Sequence, residues 1–306
     1  MSKSEKKSME EVFLGLQDTV KKSLDNTDLE RVRYLLEKID RPTLVTGVGG
    51  SNIVSDFASK VLNEKNKIIT RNSETRDLLY MNLNGYDNVL SCSYSGNNYG
   101  VDMSFSNDLN HYLLTAKGIE KDGITTIKYN MDEERSFISL GATLVPCSVL
   151  LNYYLDGDNS FVDNINSREF NFDSRCDAFE IFSGYDTSTI SNYLDSTLTE
   201  AGIGVPIIHD KYAYCHGRST ICTNRNNIAI YLNRDTELDK LMLDELPKYY
   251  KDVIVLNVGE GLKGEYSALV DAMYLTKYLA EVNNKDLVNV QYNPIVKKLY
   301  YFKKSL

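Results

Sequence analysis

Short apolar runs alternate along the chain with stretches of helical periodicity. Runs such as Thr43-Leu44-Val45-Thr46 and Asn88-Val89-Leu90 have the length of buried strands. Between such runs, apolar residues recur at spacings of three and four, as they do from Ile53 to Leu62. The alternation predicts an α/β protein with parallel sheets.

The same pattern predicts the order of the elements. Strands are expected at 43–46, 67–70, 88–93, 113–116, 124–127, 178–182, 228–231 and 253–256. Helices are expected within 8–40 with a break at 26–28, and then at 53–62, 74–81, 133–154, 187–201, 236–246 and 265–282. The helical pattern of 99–110 is weak, and the polar stretch 156–174 is typical of a linker. Two similar α/β units in tandem suggest an internal duplication.

The length of the chain agrees with this organisation. With 306 residues, it has room for two domains of about 100–150 residues each. We expect a helical N-terminal segment over 1–40, α/β domains over 41–160 and 161–284, and a tail over 285–306 with a basic end.

Charge and cysteine content narrow the function classes. A net charge of −9 makes a nucleic-acid surface improbable, although a local pocket for a small anion remains compatible with it. No apolar run approaches the roughly 18 residues of a membrane span, and the charged N-terminus leads into no signal core. Five cysteines without a Cys-x-x-Cys pair indicate reduced thiols and a cytoplasmic location.

Two polar loops follow predicted strands and suit an anion. The stretch 91–98 offers three serine hydroxyls, a glycine and two amides after a strand, and 47–52 places three glycines and Ser51 before a helix. Backbone N–H groups and hydroxyls can converge on phosphate oxygens in such loops, whereas each loop alone could be an ordinary polar turn. Ligands of open α/β sheets bind at the carboxyl ends of the strands, which favours the phosphate interpretation.

Other ligand classes fit the sequence less well. A dinucleotide fingerprint needs a third glycine where Asn52 stands, although Arg71 could meet a 2′-phosphate. No Gly-Lys-Ser/Thr follows the first loop, which excludes a P-loop. The spacings of His209, Cys215, His216 and Cys222 match no common zinc site.

Both loops resemble those of a known family. Gly47-x-Gly49-x-Ser51 and Ser93-x-Ser95-Gly96-x-Asn98 are similar to the paired loops of the sugar isomerase (SIS) domain, with Asn98 at the place of a threonine. Three further segments resemble the isomerase part of glucosamine-6-phosphate synthase, with Arg218 in place of a proline and Thr197 in place of a lysine. These segments are Thr197-Leu198-Thr199-Glu200, His216-Gly217-Arg218 and Pro294-Ile295-Val296-Lys297.

The resemblance implies a double-SIS α/β fold, a phosphorylated sugar or amino sugar as ligand, no cofactor, and a homodimer that shares its sites. The implied catalytic residues are Glu200, which moves a proton between C1 and C2, and His216 and Lys297, which serve ring opening and polar contacts. A sheltered carboxylate can have its pKa raised into the range that this proton transfer needs. The implied binding residues are Gly49, Ser51, Ser93, Tyr94, Ser95 and Asn98.

Alternatives to this interpretation stay open at the level of single residues and of function. Glu200 could be an exposed glutamate at a helix end, His216 an isolated histidine, and Lys297 part of a solvated tail. The protein could be an aldose–ketose isomerase or a deglycase that releases an amine. It could also be a catalytically silent phosphosugar sensor that keeps the binding loops without the chemistry.

Overall fold

The computed structural model describes residues 8–97, 99–119, 121–134, 136, 138–173, 175–221 and 226–289. Its strands are β1 (Thr43–Gly47), β2 (Thr70–Glu74), β3 (Asn88–Cys92), β4 (Asn110–Thr115), β5 (Ile124–Lys128), β6 (Phe179–Ser183), β7 (Pro206–Asp210), β8 (Ile228–Asn233) and β9 (Asp252–Asn257). Its helices are α1 (Met9–Leu14), α2 (Leu16–Asn26), α3 (Leu29–Glu37), α4 (Gly50–Asn66), α5 (Tyr99–Ser104), α6 (Gly141–Tyr154), α7 (Ser188–Glu200), α8 (Glu237–Glu245) and α9 (Gly261–Val282).

The strands form two parallel sheets with helices packed against them. Sheet A has the order β2-β1-β3-β4-β5, and sheet B has the order β7-β6-β8-β9. The two orders correspond: β1 and β6 each lie between the next two strands of the chain, and each leads into a long helix, α4 or α7. Sheet A has β5 in addition. The predicted α/β class with parallel sheets is confirmed.

The N-terminal helices are also present where the periodicity predicts them. The break lies at Thr27, and the Asp28 side chain caps α3 by accepting a hydrogen bond from the Arg31 N–H at 2.9 Å. Their apolar residues, including Phe13, Val20 and Leu36, are buried in the same core as the helices around sheet A. None of the described helices combines the length and apolar content of a membrane span.

The structure differs from the predicted elements in several places. The helix predicted at 74–81 is a short 3₁₀ helix over Thr75–Leu79. The second strand occupies 70–74 rather than 67–70, because Lys67 ends α4 in the left-handed conformation (φ 56°) and Ile69 is 68% exposed. The helix predicted from residue 133 begins only at Gly141, where the Glu134 carboxylate caps it. Strand β7 was not predicted, because it follows Gly204 closely and has only two apolar residues between its proline and its polar end.

The stretch predicted as a linker is partly packed into the core. Residues Ser160–Asn164 form a 3₁₀ turn, and Phe161, Val162 and Ile165 are buried. In the sequence these three residues are surrounded by polar residues, so no apolar run indicates that they belong to the core. The connection between the sheets is therefore anchored by apolar contacts.

Helix α4 is deeply enclosed beside sheet A. All ten residues from Ile53 to Leu62 are buried, so its polar side chains need partners inside the protein. Lys60 Nζ lies 2.5 Å from Glu265 Oε1 of α9, 3.0 Å from Asp56 Oδ2 and 3.0 Å from Thr189 Oγ1 of α7. This buried cluster joins α4, α7 and α9.

Replacing Lys60 by methionine should destabilise the protein strongly. The change would leave the Asp56 and Glu265 carboxylates buried without a cation, and breaking a buried pair in this way costs about 3–5 kcal/mol. Urea unfolding followed by circular dichroism would measure the loss. The control is Lys240→Met, which removes an exposed pair with Glu237 and should cost less than about 1 kcal/mol. Equal effects of the two substitutions would contradict the role given to Lys60.

Candidate functional site

The first loop connects β1 to α4 and depends on glycine. A Cβ on Gly47 would lie 2.3 Å from the Ser51 carbonyl oxygen, so no larger residue fits without moving the loop. Gly49 is the N-cap of α4 with a φ of +58°, and no side chain of the described residues caps this helix. In its first turn, the N–H groups of Ser51 and Asn52 donate to the carbonyls of Val48 at 3.2 Å and Gly49 at 2.9 Å. The positive end of the helix dipole points towards the space beyond β1.

The second loop follows β3, which pairs directly with β1. Ser93 is buried and its Oγ accepts a hydrogen bond from the Gly96 N–H at 3.1 Å, while Thr115 Oγ1 donates to the Tyr94 carbonyl at 3.0 Å. Gly96 has a φ of +60°, and a Cβ there would lie 2.7 Å from Ile119 Cδ1. These contacts fix the loop and leave Ser95 exposed. Asn98 lies outside the described residues.

The two loops meet in a narrow crevice at the carboxyl edge of sheet A. Ser51 of the first loop and Ser93 and Tyr94 of the second line it, together with Ala142 and Pro146 of α6. The crevice has no room for a sugar phosphate, since ligand pockets usually have about 300–1,000 Å³. A ligand of that size would lie over the mouth of the crevice. The structure thus brings Ser51, Ser93 and Tyr94 together, as the sequence predicts.

The N-terminus of α6 forms a third side of the site. A Cβ on Gly50 would lie 3.4 Å from Ser139 Cβ, which shows how closely the start of α4 approaches the segment before α6. Glu134 binds the α6 N-terminus with both oxygens: Oε1 accepts from the N–H groups of Leu140 (3.0 Å) and Gly141 (2.8 Å), and Oε2 from that of Ala142 (2.8 Å). An internal carboxylate therefore occupies this helix end.

Glu134 and Lys117 are site residues that the sequence analysis missed. Burial raises the pKa of Glu134, and the three backbone hydrogen bonds to its carboxylate oppose that rise. Lys117 Nζ lies 5.4 Å from the centre of the Tyr94 ring and brings a cation to the second loop. The sequence feature that could have indicated Glu134 is the acidic pair 133–134 ahead of an apolar run. This feature is common at helix starts and does not single out one residue.

Glu200 is the last residue of α7 and is exposed at its end. Partial burial of the carboxyl group raises its pKa, and a hydrogen bond from Ser196 Oγ at 3.2 Å opposes the rise. Burial also raises the pKa of the Tyr193 hydroxyl, and both Glu134 and Glu200 add to this effect.

The chain after α9 runs beside the residues that precede α6. The Ile138 N–H donates to the Leu287 carbonyl at 3.1 Å, and Leu287 is fully buried. The segment that follows α9 is therefore held beside the residues that precede α6. Lys297, predicted to contribute to catalysis, lies ten residues further on and outside the described residues.

His216 does not lie beside Glu200. It is exposed in the turns that follow β7, at the carboxyl edge of sheet B. Helix α7 starts at that edge after β6 and returns to the amino edge, where Glu200 ends it and β7 begins. The five residues of β7 alone span roughly 16 Å. One chain therefore places Glu200 and His216 on opposite edges of sheet B and does not bring them together.

Comparison with known proteins shows similarity of fold. No protein-family model matches the sequence, and no curated protein matches it. The C-terminal domain of glucosamine-fructose-6-phosphate aminotransferase from Francisella tularensis superposes with a TM-score of 0.68 at 13% identity, covering 95% of this chain and 100% of that one. This chain therefore has the fold of that domain.

Two further enzymes of known structure also have this fold. Tagatose-6-phosphate ketose/aldose isomerase from Escherichia coli has a TM-score of 0.69 at 13% identity, with 93% of this chain and 96% of that one covered. Glucosamine-6-phosphate deaminase from Thermotoga maritima has a TM-score of 0.68 at 15% identity, with 91% and 95% covered. The alignments include both sheets, because they span more than nine tenths of this chain.

Glu134→Ala should destabilise the protein, and the neighbouring Glu133→Ala should not. Removing the Glu134 carboxylate would leave three N–H groups at the start of α6 without their acceptor, and loss of a helix cap costs about 0.5–2 kcal/mol. Glu133 is exposed, and substitutions at such positions usually stay within about 0.5 kcal/mol. Urea unfolding of both variants provides the measurement. A Glu134→Ala variant as stable as Glu133→Ala would rule out the capping role.

Proposed function

We propose that this protein binds a phosphorylated sugar or amino sugar at the carboxyl edge of sheet A and acts on it as an aldose–ketose isomerase or deglycase. The observation that carries the proposal is the meeting of Ser51, Ser93 and Tyr94 beside the uncapped N-terminus of α4. In this proposal, residues 41–160 and 161–284 are two SIS domains built around sheets A and B.

The phosphate group would be held by the two loops. Helix N-termini bind anions through their N–H groups and the positive end of the dipole, and the start of α4 offers this positive end together with the Ser51 hydroxyl. Ser95 adds an exposed hydroxyl on the second loop. Gly49 permits the backbone turn with which α4 begins. Lys117 adds a positive charge, which matters in a protein of net charge −9. Asn98 would close the second loop around the phosphate.

The proton transfer would be carried out by Glu200. Isomerisation moves a proton from C2 of the open-chain sugar to C1, so one base must accept the proton from one carbon and return it to the other. A carboxylate whose pKa lies above the usual range is a better match to this task than an ordinary exposed one, and partial burial has this effect on Glu200. Lys297 of the tail would contact the sugar oxygens.

We further propose that the site is completed in a homodimer. His216 lies on the edge of sheet B opposite to Glu200, so His216 of the same chain cannot share a ligand with it. A site that uses both residues therefore requires His216 of the partner subunit. The imidazole would supply the proton exchange that opens the sugar ring.

The three structural neighbours support this choice of ligand. Their names give 6-phosphates of an amino sugar or a ketose as the compounds involved. Their fold agrees with that of this chain over more than nine tenths of its length, so the edge of sheet A is available for the same kind of ligand here.

A phosphosugar sensor without catalytic activity is the alternative. It is favoured by Arg218 and Thr197, which replace a proline and a lysine of the family pattern. Thr197 is buried in α7 and cannot reach a ligand as a lysine could. A sensor would keep the two loops and the binding of sugar phosphates and would show no turnover.

Binding should be detected as thermal stabilisation. Hexose 6-phosphates or their amino-sugar counterparts should raise the melting temperature in a saturable way, and the unphosphorylated sugars should not. Inorganic phosphate serves as the control for the anion site alone. If no sugar phosphate of a hexose and pentose panel stabilises the protein, both the enzyme and the sensor are excluded.

Glu200→Gln should abolish turnover and preserve binding. Gln has the size of Glu but cannot accept the proton, whereas Asp195→Asn on the same helix should leave activity unchanged. Because the pKa of Glu200 is raised, kcat/KM of the unmodified enzyme should fall as the pH drops through that pKa, above the range of an ordinary glutamate. Unchanged turnover of Glu200→Gln would assign the base elsewhere, and binding without turnover in the unmodified protein would identify a sensor.

A further inference from the structure

Sheet B has a counterpart of the anion site at its own carboxyl edge. The loop after β6 leads into α7, as the loop after β1 leads into α4, and β6 and β1 have corresponding places in their sheets. Hydroxyl groups are close together there: Ser183 Oγ lies 3.1 Å from Thr187 Oγ1 and 3.0 Å from Ser191 Oγ. A strand, a hydroxyl-rich loop and a helix N-terminus thus occur in the same order as in sheet A.

The counterpart differs from the site of sheet A because a carboxylate of the chain already fills it. The Thr189 N–H of the first turn of α7 donates to Glu265 Oε1 at 3.1 Å. The Lys60 ammonium group lies 2.5 Å from the same oxygen and also donates to Thr189 Oγ1 at 3.0 Å. Glu265 is 1% exposed and Lys60 3% exposed, so this is a closed anion site with a buried cation.

A second carboxylate accepts hydrogen bonds from hydroxyl groups at the same helix end. The hydroxyls of Ser188 and Thr189 donate to Asp56 Oδ2 at 2.8 and 2.7 Å. By contrast, Glu265 Oε2 has no hydrogen-bond partner among the described residues, although it is buried. Burial raises the pKa of Glu265 and the ammonium group of Lys60 opposes this rise. The Glu265 carboxylate is therefore held mainly through one oxygen, by one backbone N–H and one ammonium group.

We propose that Glu265 is the built-in occupant of a second anion site, which lies at the carboxyl edge of sheet B and is closed by this side chain. The chemical class that this second site accepts is a small monocarboxylate. When the Glu265 side chain is cut back to Cβ, formate should enter the vacated space and pair with Lys60 and the N-terminus of α7.

The charges explain why an external anion would be bound there. Without Glu265, the Lys60 ammonium keeps only Asp56 as a charged partner, and the Thr189 N–H has lost its acceptor. A buried donor without an acceptor destabilises the folded protein, and a bound carboxylate would supply the missing acceptor. Formate carries the same carboxylate group as glutamate and is small enough for the space of the removed atoms.

The test compares Glu265→Ala, Glu265→Gln and the unmodified protein by thermal unfolding in sodium formate and in sodium chloride of equal ionic strength. Glu265→Ala should melt at a temperature lower by several degrees, on the order of 5 °C or more. Formate should recover most of this loss in a saturable way, and chloride should not. Glu265→Gln, whose side chain still fills the space, should show no formate-specific shift.

The outcome does not depend on sugar phosphates, so it is separate from the proposed function. If Glu265→Ala is unfolded in chloride, refolding in formate is the measurement, and recovery of folded protein only in formate supports the proposal. The same melting curve or the same refolding yield of Glu265→Ala in both salts overturns it. Equal stabilisation of the unmodified protein by formate also overturns it, since the site would then be open.

Discussion

The burial of α4 is the constraint on which the other features of this protein depend. A helix whose ten central residues are all buried must find a partner inside the protein for every polar group it carries. Ser55 contacts Asn72 of β2, Asp56 contacts α7, and Lys60 contacts α9. These contacts come from three directions and leave α4 one position, in which its N-terminus faces the loop after β3.

This position links stability to the candidate function. The N-terminus of α4 is the uncapped helix end at the crevice, whereas the corresponding ends of α6 and α7 are filled by Glu134 and Glu265. In the proposed function, the N-terminus of α4 is the helix end that receives the external anion. The same carboxylates accept hydrogen bonds from buried donors, so the closure of these two helix ends follows from ordinary requirements of buried polar groups.

The predictable part of the structure is the part that local pattern determines. Buried strands such as β1 and β3 have continuous apolar runs, and the loops after them contain glycines at positions that require a positive φ or have no room for a Cβ. From these residues the α/β class and the meeting of Ser51 with Ser93 could be predicted. The start of α6 could not, because its cap is a side chain seven residues upstream. The partners of Lys60 lie 129 and 205 residues away, a distance that no sequence pattern spans.

The most direct test of the proposed site is a crystal structure of the protein with a hexose 6-phosphate bound. We expect the phosphate group at the mouth of the crevice beside the start of α4, with its oxygens about 3 Å from the hydroxyls of Ser51 and of the 93–97 loop. We also expect Glu200 on the sugar side of the ligand. A phosphate group bound at the edge of sheet B, or away from both loops, would contradict it.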